Sequence, residues 1–211
     1  MSSDEFKQIN AVLDAQHVLD TWFKDDDSGR MDLPQLKRWF MGGKKLDEYL
    51  KATYSATLSA AANGELDHWL DDAQSALALI VLLDQFNRNM NRGTAQAFAL
   101  DAKALAASRQ ALDLDYTSHY TFTQKMFCYM PFEHDESRES QKTAVALFQQ
   151  LKDDAPDEYT EFADRALASA IEHQEIVEQF GRYPHRNKVL GRANTDKEEQ
   201  WLAGDHKSFG Q

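Results

Sequence analysis

Apolar residues return at every third or fourth position along nearly the whole of this chain, and nowhere do they alternate long enough to line one face of a strand. That spacing predicts an all-α fold. Helices are expected over residues 6–23, 33–40, 46–62, 71–86, 94–112, 118–129, 137–151, 156–180 and 196–202. Pro156 suits a first helical position, Gly181 a left-handed cap after Phe180, and Thr195 with Glu198 a capping box. Asn63-Gly64 and Asn91-Arg92-Gly93 read as turns, and Pro131 predicts that the helix carrying Cys128 ends at Met130. Short connections between amphipathic helices make neighbours antiparallel, either as stacked hairpins or as a compact bundle. No repeat period and no tetratricopeptide signature is visible, and no linker divides residues 1–211, so one domain is expected.

Charge and cysteine content narrow the function classes. A formal charge of −12 repels phosphate backbones and anionic lipid, so no nucleic acid and no membrane partner is expected. Cys128 is the only cysteine, which excludes an internal disulfide and any multi-cysteine metal site and fits a reducing compartment. The first residues lack the basic and apolar runs of a signal peptide, and the longest apolar run, residues 76–83, is too short to span a bilayer. A soluble, cytoplasmic protein is the expectation.

Against that acidic background three polar segments stand out. Residues 180–192, FGRYPHRNKVLGR, carry Arg182, His185, Arg186, Lys188 and Arg192 without one acid. One or two cations there would cap the last carbonyls of the preceding helix; the remainder are available for an anion. Residues 82–105 hold Arg88 and Arg92 between Asp84 and Asp101. Asp84 can pair with Arg88 one turn later, and Arg92 stands at the entrance of the next helix, where Thr94 can cap and free N–H groups can receive an anion. Phe98 reads as ordinary core. The third segment, residues 129–141, places Glu133 and His134 in a loop after the proline. His134 and His185 are candidate proton-transfer groups, with Glu133 or Asp84 to orient them; a solvated loop histidine is the plainer alternative.

His173 falls on the core-facing stripe of the helix predicted over 156–180, with Tyr159, Phe162, Ala166, Ala170, Val177 and Phe180, so it is either a hydrogen-bonded core histidine or part of a cavity wall. Cys128, beside Phe127 and Tyr129, reads as an inert buried thiol. No nucleophile elbow, phosphate loop or dinucleotide fingerprint is present, so no cofactor is expected. Glu65 and His68 have the spacing of a bundle metal site but no second copy, and no metal is expected either.

Leu83-Asp84-Gln85-Phe86 with Arg88-Asn89 and Arg92-Gly93, Ala97-Phe98 with Asp101, Glu133-His134 with Gln141, and Phe180-Gly181-Arg182, Pro184-His185-Arg186-Asn187 and Leu190-Gly191-Arg192 together resemble an uncharacterised bacterial family, domain of unknown function 924. The resemblance runs over about residues 18–202 and takes in Trp22-Phe23 and His173. It implies a helical fold similar to the tetratricopeptide-repeat superhelix and no established activity. The chain departs from the family pattern at Asn87, where proline is usual, and at Asp135, where serine is usual.

Polar motifs so far apart in sequence predict a site assembled from several helix ends. Arg88, Arg92, Arg182 and Arg186 would bind an anionic small molecule, with Asp84, Asp101, Gln141, His173, Asn187 and Arg192 around it and His134 and His185 transferring protons. Two alternatives stand beside this: a scaffold whose cations clamp an acidic peptide or a C-terminal carboxylate, and a closed ion-pair network that only locks helices together. Self-association is left open by the sequence.

Overall fold

In the computed structural model, which describes residues 9–23, 39 and 43–204, every regular element is a helix. The α-helices are α1 (Ala15–Phe23), α2 (Gly43–Ala62), α3 (Ala73–Val81), α4 (Asn87–Met90), α5 (Asp101–Asp113), α6 (Phe122–His134), α7 (Arg138–Asp153), α8 (Thr160–Phe180) and α9 (Asp196–Leu202). Between α3 and α4 the chain keeps right-handed helical torsions through one π-turn, Leu82–Phe86. Successive helices pack as antiparallel pairs, with α7 against both α6 and α8, and α1, α5 and α6 around α3.

α3 is central because it has no polar face: Ala76 to Val81 are all buried. The Trp22 ring lies 5.5 Å from both Phe86, tilted, and Phe127, edge-on, and Tyr54 lies 4.8 Å from Phe86. Each such fully buried side chain contributes on the order of 1.5–3 kcal/mol. The helix ends are satisfied as physical chemistry requires. Asp72 accepts the N–H groups of Gln74 and Ser75 at the start of α3, and Lys103 donates to Ala61 O (3.1 Å) and Ala62 O (2.9 Å) at the end of α2. Gly181 takes the left-handed conformation, φ 72°, after Phe180, and Thr195 with Glu198 forms a capping box. The turns at Asn63-Gly64 and Asn91-Arg92-Gly93 are present, with Gly64 and Gly93 at positive φ.

Several boundaries differ from the sequence expectation. α1 starts at Ala15, because the Asp14 carboxylate accepts the His17 N–H (3.0 Å) and caps it there. The helix predicted over 33–40 lies outside the described residues apart from Trp39, whose indole donates to Trp22 O at 2.9 Å. The segment 94–112 is broken into a short 3₁₀ turn, Ala95–Phe98, and α5, and the Thr94 hydroxyl bonds Asn91 O instead of capping. Pro156 precedes the 3₁₀ turn Asp157–Tyr159 with an extended ψ of 153°. The largest correction is Pro131, which does not end its helix: α6 begins at a Thr121–Gln124 capping box and continues through Pro131 to His134. A proline inside a helix costs roughly 3 kcal/mol, yet burying Phe127 and Phe132 on the two sides of it stabilises by about as much or more. Among the described residues no helix is long and apolar enough to cross a membrane.

Candidate functional site

The π-turn and α4 read DQFNRN over residues 84–89, and Asp84, Gln85, Asn87, Arg88 and Asn89 are all buried. Polar groups in that position need partners. Asn87 donates to Gln96 O (2.9 Å) and Ala97 O (3.1 Å), fixing the 3₁₀ turn that leads to Asp101. Asn89 donates to Gln85 O at 2.9 Å. Asp84 is the hub: its carboxylate accepts from His134 Nδ1 at 2.7 Å, Arg88 Nε at 3.3 Å and Gln85 Nε2 at 2.5 Å. Arg88 Nη2 donates in turn to Asp101 at 2.8 Å, and Arg186 Nη1 stands 3.5 Å from the other Asp101 oxygen while donating to His134 O at 2.9 Å. Six residues from four parts of the chain thus form one cluster. Its least covered members are Asp101 and His134, with side chains 16% and 11% exposed.

The cluster has an aromatic wall. The Arg88 and Arg186 guanidinium carbons lie 5.5 Å and 4.6 Å from the centre of the Phe98 ring, and Arg186 lies 4.3 Å from that of Tyr183. Two donors stay unmatched: Arg88 Nη1 and Arg186 Nε are buried with no hydrogen-bond partner. No hydrogen bond among the described residues reaches His134 Nε2.

Glu133 and His134 are therefore not loop residues but the last turn of α6, and consecutive positions on a helix point to different sides. Glu133 turns away from His134 and meets His173 Nδ1 at 2.8 Å and the Ser169 hydroxyl at 2.7 Å. Serine, histidine and glutamate in contact suggest a nucleophile triad, but the geometry is wrong for one. The Ser169 hydroxyl is donated to Glu133, and the serine and the carboxylate both approach the same ring nitrogen of His173. His173 is a hydrogen-bonded core histidine. Gln141 and Tyr183 brace this turn from below: Gln141 donates to Glu133 O (2.9 Å) and Asp135 O (2.5 Å), and the Tyr183 hydroxyl donates to Glu133 O at 2.6 Å.

The other predicted residues engage different partners. Arg92 pairs with Asp47 (3.0 Å) and Asn89 (2.8 Å). Arg182 grips Glu198 with two bonds of 2.6 and 2.8 Å. Arg192 holds Glu136 in the same bidentate way, at 2.6 and 2.9 Å, and adds Tyr183 O and Asn187 Oδ1. Asn187 is buried against Asn194 and Arg192, and His185 packs on the Tyr183 ring with centroids 5.4 Å apart. Of the four arginines expected to converge, the structure brings together Arg88 and Arg186. Spacing could not separate these from Arg92 and Arg182, whose carboxylate partners are remote in sequence. Tyr183, Glu136 and Phe98 are not among the expected site residues although each lies inside one of the three polar segments, and nothing in the sequence points to Ser169. The Asp135 carboxylate accepts the Ser137 N–H at 3.2 Å.

Electrostatics set the protonation states. Burial alone would raise Asp84, but His134 and Arg88 outweigh it and hold the carboxyl far below its ordinary range. Burial, reinforced by Arg88, lowers His134 despite Asp84, so at neutral pH its imidazole is neutral, with Nδ1–H given to Asp84. Burial pushes Asp101 up against the pull of Arg88, and burial with Arg88 beside it brings Arg186 down to about 10, still charged at neutral pH. Glu133 would be raised by burial, but His173 lowers it on balance. Cys128 is pushed up to about 12 by burial and is inert, as its context implied.

A cavity of about 1020 Å³ lies between α1, α2 and the first turns of α3 and α6, where Leu13, His17, Thr21, Tyr54 and Gln124 line it. None of the cluster residues faces it. Chemistry requires convergent ionisable groups rather than volume, so the Asp84 cluster is the candidate site. Among the described residues no group of three or more histidine, cysteine or acidic side chains stands in a metal-binding arrangement, and Glu65 and His68 are both exposed.

The same arrangement of helices has a solved counterpart. The structure of the protein of unknown function ATU0120 from Agrobacterium tumefaciens is similar to this chain with a TM-score of 0.74 and 35% sequence identity, covering 89% of this chain and 96% of that one. No curated protein matches the sequence. Residues 18–205, which include every member of the cluster, fit the model of the family described as bacterial protein of unknown function, DUF924, and the chain belongs to that family.

Proposed function

We propose that the Asp84 cluster binds a small organic anion and that His134 exchanges a proton with it. The observation that carries this reading is the pair of buried guanidinium donors, Arg88 Nη1 and Arg186 Nε, with no acceptor in the protein. A buried N–H without a partner costs on the order of 1–3 kcal/mol, more on a charged group, and a bound oxyanion removes that cost. His134 supplies the second half. Its Nδ1 is committed to Asp84, which leaves Nε2 as a lone-pair base within the same cluster; a proton taken there leaves an imidazolium whose counter-charge is Asp84. The alternative of an acidic-peptide clamp needs uncommitted surface cations, and Arg92, Arg182 and Arg192 are each paired with a carboxylate.

The test is a melting-temperature screen of small carboxylic acids and phosphate esters against wild type and His134→Gln. Since a ligand at one hundred times its Kd stabilises by about 2.7 kcal/mol, binding is readable as a rise of several degrees. The expected result is a stabilising anion whose affinity depends on pH in the wild type and loses that dependence in His134→Gln. A screen in which no anion shifts the wild type overturns the proposal.

A further inference from the structure

We infer that the anion is a monocarboxylate, held side-on by the Nε and Nη2 edge of Arg186. The inference rests on the binding reading above and adds the chemical class of what is bound. Arg186 uses Nη1 alone within the protein, donating to His134 O and facing Asp101. Its Nε is buried without a partner, and no hydrogen bond among the described residues involves its Nη2. One complete edge of a planar two-donor fork is therefore unpaired. That edge matches the two oxygens of a carboxylate in a single plane. With the Tyr183 and Phe98 rings 4.3 and 4.6 Å from the guanidinium carbon, a ligand reaches Arg186 along this edge rather than through its face. Arg88 Nη1, against the same Phe98 ring, offers one further donor.

Charge balance selects among anions. Arg88 and Arg186 are already matched by Asp84 and Asp101, so every added negative charge is a net charge in a largely dry place. A monocarboxylate adds one; a phosphate ester near neutral pH adds closer to two, and its three terminal oxygens ask for more donors than the three N–H positions supply. Asp101, held up by burial between the two arginines and the most exposed member of the cluster, is the group able to offset that single charge by taking a proton. Arg88, Arg186, Asp84 and His134 are the charged and titratable groups that act on it.

Calorimetric titration with acetate, propionate and benzoate, and in parallel with inorganic phosphate and methyl phosphate, tests the assignment on wild type and Arg186→Lys. Expected is binding of at least one monocarboxylate by the wild type, tighter than either phosphate, and a loss of about tenfold or more in Arg186→Lys, which keeps the charge but not the fork. Phosphate bound more tightly than every carboxylate would overturn the ligand class and leave the anion-binding reading standing. Carboxylate affinity unchanged in Arg186→Lys would overturn the side-on geometry. Binding of no probe would overturn both. Should Arg186→Lys fail to fold, as judged by circular dichroism, proton–nitrogen spectra of the wild type decide: the bound carboxylate must move an arginine Nε–H resonance downfield, and its constancy would defeat the inference.

Discussion

Asp84 accepts hydrogen bonds from three side chains, His134, Arg88 and Gln85, and offers almost nothing to water. A buried carboxylate of this kind is tolerated because its partners supply both charge and donors; removing its charge strands the partners. Asp84→Asn is therefore expected to cost about 3–5 kcal/mol in urea unfolding, and a loss under about 1 kcal/mol would show the pairing to be unimportant. Tyr183→Phe is the sharper test of the bracing beneath the site. It deletes the hydroxyl that donates to Glu133 O and lies 2.8 Å from Gln141 Nε2, leaving that carbonyl with the Gln141 bond alone. The expected cost is about 0.5–1.5 kcal/mol with the helix content unchanged.

At the scale of elements, two irregularities aim the site. The π-turn lets a helix that is apolar on all sides place a run of polar residues against α5 and α6, a use typical of such turns. Pro131 sits in α6 one residue before Phe132 and two before Glu133, and the helix continues because those side chains are buried. Restoring the missing N–H with Pro131→Ala should stabilise by about 2–2.5 kcal/mol, the helical gain of roughly 3 being reduced by about 0.4–1 because the alanine chain is freer when unfolded. A fall in the urea midpoint instead would mean that the proline bend itself sets the direction of Glu133 and His134. Lys103→Met, which uncovers the last carbonyls of α2, is expected to lose about 1 kcal/mol by the same measurement.

For the whole molecule the buried ionisable groups fix how stability follows pH. His134 is held below its ordinary value, so the unfolded chain takes up that proton first; its contribution is complete above about pH 6.5 and is lost as pH falls from there. Asp84, Glu133 and Glu136 are held below theirs by their partners, and Glu198 is brought to about 2 by Arg182. Their contributions are complete above about pH 4.5 and are lost progressively below it. Asp101 has the opposite sign, since burial raises it, and its protonation partly offsets the decline. The melting temperature should be level above about pH 6.5, fall gently towards pH 5 and steeply below pH 4.5. His134→Gln should remove the gentle fall alone; a variant that keeps it would assign that fall to another group.

Helical spacing, the caps at Gly181 and Thr195, the core position of His173 and the polar vocabulary of three segments were legible in the residues, because each depends on neighbours within a few positions. Those features by themselves determined an all-helical chain with its cations and histidines concentrated at helix ends. What only the tertiary structure decided was pairing: that His134 meets Asp84 and not Glu133, that Arg186 joins Arg88 while Arg92 and Arg182 go to Asp47 and Glu198, and that Pro131 stays inside a helix. The physical reason is common to all of these. Contact between side chains tens of residues apart is set by how whole helices pack, and burial gained in that packing outweighs local preferences such as that of proline.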